Sequence, residues 1–162
     1  MKSSLITGIS FGLTSGAITT MGLMVGLYSG THSKLAVFGG IITIAVADAF
    51  SDALGMHIAE ESKGMHTVRQ IWTATIATFV TKFVFALSFI IPVLIFEFSK
   101  AVHVSIAWGL SVLAILSYRI AKSQGTRPWR AITEHLIIAI AVIIFTFFIG
   151  NWVSIVFEKT QM

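Results

Sequence analysis

Residues 5–28 read LITGISFGLTSGAITTMGLMVGLY, 24 positions without one charged side chain. About 20 mainly apolar residues span the hydrocarbon of a bilayer. This run is therefore long enough to cross. It begins four residues into the chain, after Lys2, and shows no clear cleavage site, so a signal peptide is not expected. A polar break from Ser29 to Lys34 follows. Working outward, the same pattern recurs four times. Long apolar runs predict spans at about 5–28, 35–60, 71–96, 101–122 and 131–157. Polar or helix-breaking segments separate them, including Glu60 to Arg69 and the basic stretch Arg119 to Arg130 with Gly125 and Pro128. The expected fold is an all-α integral membrane protein, one domain of five transmembrane helices over residues 1–162.

Composition agrees. The 162 residues are 56% apolar and 11% charged, with mean hydropathy +0.90. A soluble domain carries roughly 25% charged residues. So few charges cannot build a water-facing surface, but they suit a lipid-facing one. With no cysteine, disulfides, thiolate metal sites and cysteine nucleophiles are excluded. The net charge of +4 does not by itself point to nucleic acid, because the position of each charge matters more than the sum. Lys2, Lys63, Arg69, Arg119, Lys122, Arg127 and Arg130 share one side, and only Lys34, Lys100 and Lys159 the other. The positive-inside rule then predicts a cytoplasmic N-terminus and a C-terminus on the opposite side.

Small residues punctuate the first span. Gly8, Gly12 and Gly16 are four apart, as are Gly22, Gly26 and Gly30. Such spacing lets two helix backbones touch. It is read as the packing seam of a homodimer, with close packing inside one subunit as the alternative.

The chemistry sits in the second span. Asp48, Asp52, Met56 and Glu60 are each four residues apart and form a drifting stripe on one helix. A charge at the bilayer centre costs at least ~2.5–3.5 kcal/mol, so two acids there imply a wet cavity, a counter-ion or a bound cation. Carboxylate oxygens suit divalent cations, and a thioether biases the set toward Fe(II), Mn(II) or Co(II). His57 points about 100° from Met56, toward a pore mouth or a neighbouring helix. Glu61 and Glu60 are placed to attract metal at the cytoplasmic entrance.

Lys82 is a basic residue deep inside the third span, and counting from the cytoplasmic helix ends puts it at the depth of Asp48. Either the two form a fixed structural pair, or the ammonium holds the carboxylates until metal or proton exchange releases it.

These motifs resemble the vacuolar iron transporter family, in its short nodulin-like form. Phe11 to Leu23 is similar to the family's opening helix. Asp48 followed eight residues later by Met56 is similar to its second-helix motif. Ser88 to Pro92 resembles its proline-bearing third helix, and the end of the last span at Phe148 to Gly150 is also similar. The resemblance implies five helices, a homodimer with a pore between subunits, and proton-coupled export of cytosolic Fe(II). It carries over Asp48 and Met56 as ligands; Asp52 is added by spacing, and Glu60 as an entrance candidate. Three departures stand out. Phe11 occupies the position of the family's first-helix acid. Only about ten residues join helices two and three, where many members insert a metal-binding domain. Lys82 is not part of the family pattern.

The expected function is thus a divalent-metal transporter, an antiporter moving Fe2+ or Mn2+ out of the cytoplasm against protons, with no prosthetic group. The membrane is the cell membrane of a prokaryote or a vacuole-like membrane of a eukaryote. The alternative is a non-transporting membrane subunit with a structural Asp48–Lys82 pair. An enzyme is not expected. The five histidines are scattered, HExxH is absent, and no GxxxxGK[ST] supplies an ATP site.

Overall fold

The computed structural model describes residues 2–160, with side chains from 3 to 157; Lys2 and Lys159 of the charge count lie outside the described side chains. Among the described residues six helices follow one another: α1 (Lys2–Thr31), α2 (Lys34–Ser62), α3 (Val68–Ser88), α4 (Ile90–Ile95), α5 (Phe98–Ser123) and α6 (Pro128–Thr160). No strand occurs among the described residues. Five helical stretches are long and apolar enough to cross a membrane, with α3 and α4 together making the third. The five expected spans are all present, each a few residues longer than expected; the third begins three residues early at Val68 and ends one residue early at Ile95.

Local chemistry sets the breaks. Ser33 caps α2 by accepting from the Ala36 amide, and Thr67 with Gln70 forms a capping box at the start of α3. The third span is broken at Phe89. Pro92 has no amide hydrogen for the Ser88 carbonyl, and its ring crowds that carbonyl, so the helix cannot run straight through. The Ser88 hydroxyl instead donates to the Phe85 carbonyl and accepts from Trp108 Nε1 on α5. After α5, Gly125 takes φ +68°. Its amide donates to the Lys122 carbonyl and that of Thr126 to the Ala121 carbonyl, the paired bonds of a Schellman motif. Pro128 then starts α6 at the position where its missing amide costs nothing.

α1 is the central helix, packed on α3, α6, α2 and α5. The core gathers Met21 and Met24 of α1, Ile41 of α2, Phe85 and Phe89 near the α3 end, and Leu113 of α5. Large apolar side chains such as Leu35, Phe50, Ile76, Phe145 and Trp152 cover the outside. That distribution is stable only where the solvent is itself apolar.

The glycine ladders are corrected here. Gly8, Gly12 and Gly16 face α3 of the same chain, and a methyl on Gly12 would sit 2.8 Å from the Thr78 carbonyl. Gly22, Gly26 and Gly30 face α6, where a methyl on Gly22 would lie 2.9 Å from Val142 Cγ1. Ser29 Oγ adds a hydrogen bond to the Phe147 carbonyl across that contact. The close approaches are real but intramolecular, so these five expected dimer-packing residues, Gly8, Gly12, Gly16, Gly22 and Gly26, are already occupied by α3 and α6.

An unoccupied small-residue stripe lies elsewhere. Gly39, Thr43, Ala47, Ser51, Gly55 and Ala59 of α2 are each four apart and all exposed. A methyl added at Gly39 or Gly55 meets nothing within 4 Å.

Candidate functional site

Asp48 stands 14 residues from either end of α2, and Lys82 stands 14 residues from the start of the third span and 13 from its end. Both are therefore mid-depth. Lys82 is 1% exposed, and its stem passes beside Gly16, where a methyl would lie 3.4 Å from Lys82 Cγ. A larger residue at 16 would crowd that stem.

Two helices, α1 and α2, supply partners for the ammonium. Asp52 of α2 accepts a hydrogen bond from Lys82 Nζ. Ser15 of α1 accepts another at 2.8 Å. Asp48 Oδ2 lies 2.5 Å from Nζ as an ion pair, yet off the direction of a hydrogen bond. The two carboxylates are 24% and 19% exposed, for Asp48 and Asp52. Two carboxylates and one ammonium leave a formal charge of −1 at mid-depth. A buried pair with its hydrogen bonds satisfied is tolerable, but an unmatched charge is costly.

Asp48 differs from Asp52 in what it faces. It lines an open groove of about 650 Å3 between α1 and α2, with Thr19, Thr43 and Ser51 as the other polar members. Asp52 is turned to the lysine. Ser51, Ala47 and Thr43 belong both to this groove and to the exposed small stripe.

The acidic stripe splits in two. Each step of four residues rotates by about 40°, so Glu60 is about 120° round from Asp48 and about 12 Å further along the helix than Asp52. Glu60 is 2% exposed and is held by Lys63 at 2.5 Å and His66 at 2.5 Å, tying the end of α2 to the following loop. Met56, between the two groups, is buried. Glu61 is exposed at the helix end. Among the described residues no three His, Asp or Glu side chains converge as a metal-binding group.

His57 leaves the stripe, as its rotation predicts. Its Nδ1 is 3.1 Å from Thr75 Oγ1, and its ring meets Trp72 edge-on. The Thr75 hydroxyl donates to the Ile71 carbonyl, so His57 is the donor of the pair. Phe11 is exposed on α1, one turn before Ser15. An aromatic ring thus stands where the resemblance expects an acid.

Ser15 was not singled out from the sequence, since a lone serine in a glycine-rich span carries no signal. The small stripe of α2 was missed too, because its mixture of Gly, Thr, Ala and Ser hides the spacing. No protein-family model matches this chain, and none of the curated proteins compared with it matches, so the resemblance to the vacuolar iron transporters rests on the quoted motifs alone.

Proposed function

We propose that the protein exchanges cations across its membrane, with a divalent transition metal, Fe2+ or Mn2+, leaving the cytoplasm against protons. The observation that carries this reading is the charge of −1 that Asp48, Asp52 and Lys82 leave at mid-depth. A proton taken up by Asp48 neutralises it. Two copies of the chain placed groove to groove would present −2, which one divalent cation neutralises. Intramembrane acids that face a cavity rather than a packed interior are a recurring feature of ion pathways.

The roles divide by geometry. Asp48 is the exchanging ligand, because it opens into the groove and has no hydrogen bond to give up. Asp52 anchors Lys82, which stands in for the missing cation when the site is empty. Met56, one turn beyond Asp52, would offer a thioether that favours softer metals. Glu61 lies at the entrance, and Glu60 stabilises the α2–α3 turn there. The homodimer seam moves from α1 to the exposed small stripe of α2, which borders the same groove and permits close helix approach. By the positive-inside rule, the basic loops favour an orientation with the α2–α3 and α5–α6 ends in the cytoplasm.

A second reading has its own support. Lys82 is nearly inaccessible and both acids engage it within one chain, as a structural ion pair in a non-transporting subunit would be. Uptake by proteoliposomes containing a metal-sensing dye separates the two. Fe(II), Mn(II), Co(II), Zn(II) and Mg(II) are offered with and without a pH gradient. Flux of a transition metal that acidifies or alkalinises the lumen supports exchange; no flux of any ion leaves the structural pair.

A further inference from the structure

The loop between α5 and α6 closes over a cavity that the exchange reading does not use. Its volume is about 510 Å3, within the range of about 300–1,000 Å3 of small-molecule sites. Arg127 and Arg130 stand at its mouth with Gln124 and Thr126, and Ser117 with His135 forms its floor. The floor is fixed by hydrogen bonds. Ser117 donates to the Leu113 carbonyl at 2.6 Å, so His135 Nδ1 is the donor to Ser117 Oγ at 2.7 Å. Glu134 is the one acid in the wall, and it takes only the Nε of Arg130 at 2.8 Å. The Arg127 guanidinium has no partner among the described residues, and the remaining donors of Arg130 are free. Two guanidinium groups against one carboxylate leave the cavity positive before any histidine charge. The start of the 33-residue α6 adds the positive end of a helix dipole.

The depth of this cavity is also marked. Trp129 is 75% exposed beside it, and Tyr118, next to Ser117 of the floor, is exposed as well. Exposed Trp and Tyr at helix ends sit at the headgroup level of a bilayer. The charge-free part of α6 begins at Leu136, just below. Basic pockets between membrane helices at that level suit phosphate, since a planar guanidinium matches two phosphate oxygens at once.

We infer that the α5–α6 cavity is a binding site for a phosphate group, held by Arg127 and Arg130, at the membrane surface. The group belongs either to an anionic phospholipid or to a soluble phosphate. The site is separate from the Asp48–Lys82 centre and does not depend on cation exchange.

Native mass spectrometry of the detergent-purified full chain tests this. Phosphatidylglycerol is compared with phosphatidylcholine, and inorganic phosphate is added as competitor. The wild type is expected to retain phosphatidylglycerol selectively. R127Q/R130Q should weaken retention roughly tenfold or more, the equivalent of one charge-assisted hydrogen bond. R69Q, which removes a charge at the same end outside the cavity, should leave it unchanged. Retention that millimolar phosphate does not displace identifies the lipid; phosphate binding lost in R127Q/R130Q without lipid selectivity identifies the soluble anion. Equal weakening by R69Q, or no effect of R127Q/R130Q on either ligand, overturns the site. All three substituted residues are exposed, so circular dichroism should report one helicity for every variant.

Discussion

Lys82 Nζ and Asp48 Oδ2 lie 2.5 Å apart at mid-depth, in contact but outside hydrogen-bonding geometry, while Asp52 and Ser15 take the directed bonds of the same ammonium. One carboxylate is thus locked and the other is held by charge alone. The difference gives each residue its own expected phenotype.

Lys82→Met removes the cation that faces both acids. Breaking a buried pair by deleting one partner costs about 3–5 kcal/mol if the remaining charges persist. With the ammonium gone the two carboxylates lose their shared counter-ion, so thermal stability should fall and metal uptake and its pH profile should depart from the wild type. Uptake measured across a pH series checks this. Unchanged uptake with an unchanged pH profile would remove Lys82 from the exchange step.

The glycines predict opposite outcomes on two helices. Gly12→Leu pushes a side chain into the α3 backbone at Thr78, so the monomer should lose several kcal/mol or fail to fold. Gly55→Leu points into open space and should leave the fold intact while weakening self-association. Melting temperature and light scattering in detergent report the two effects separately. Dissociation of a well-folded Gly12→Leu chain would restore the dimer seam to α1.

Glu60→Gln should loosen one turn rather than close the pathway. It removes the carboxylate charge and leaves one accepting oxygen where Lys63 and His66 now face two, at an expected cost of about 1–3 kcal/mol to local order. Hydrogen exchange should quicken over residues 60–67 and stay unchanged around Asp48.

The five spans were legible because hydropathy is a property of each segment alone. Matching Asp48 to Lys82 also succeeded, since depth follows from counting along two helices. The glycine ladders show where counting stops. Spacing reveals that a backbone comes close, but tertiary packing decides whose backbone it is, and α3 and α6 of the same chain take that place. Glu60 was grouped with Asp48 by a four-residue step whose error accumulates to about a third of a turn. Ser15 was invisible because its role depends wholly on Lys82 reaching it.

Charge counting sets the stoichiometry of the proposed exchange. If each copy trades one proton on Asp48 for half of a divalent charge, one metal ion moves against two protons and no net charge crosses. Flux in proteoliposomes clamped with a potassium gradient and valinomycin should then be insensitive to membrane potential. A rate that follows the potential would require a different count.

The most direct test of the central claim is metal and proton flux by Asp48→Asn in proteoliposomes. The variant keeps the Lys82–Asp52 pair, which is neutral, so it should fold with wild-type helicity. Abolished metal flux together with abolished counter-movement of protons is the predicted result. Wild-type flux by the folded Asp48→Asn chain would contradict the account.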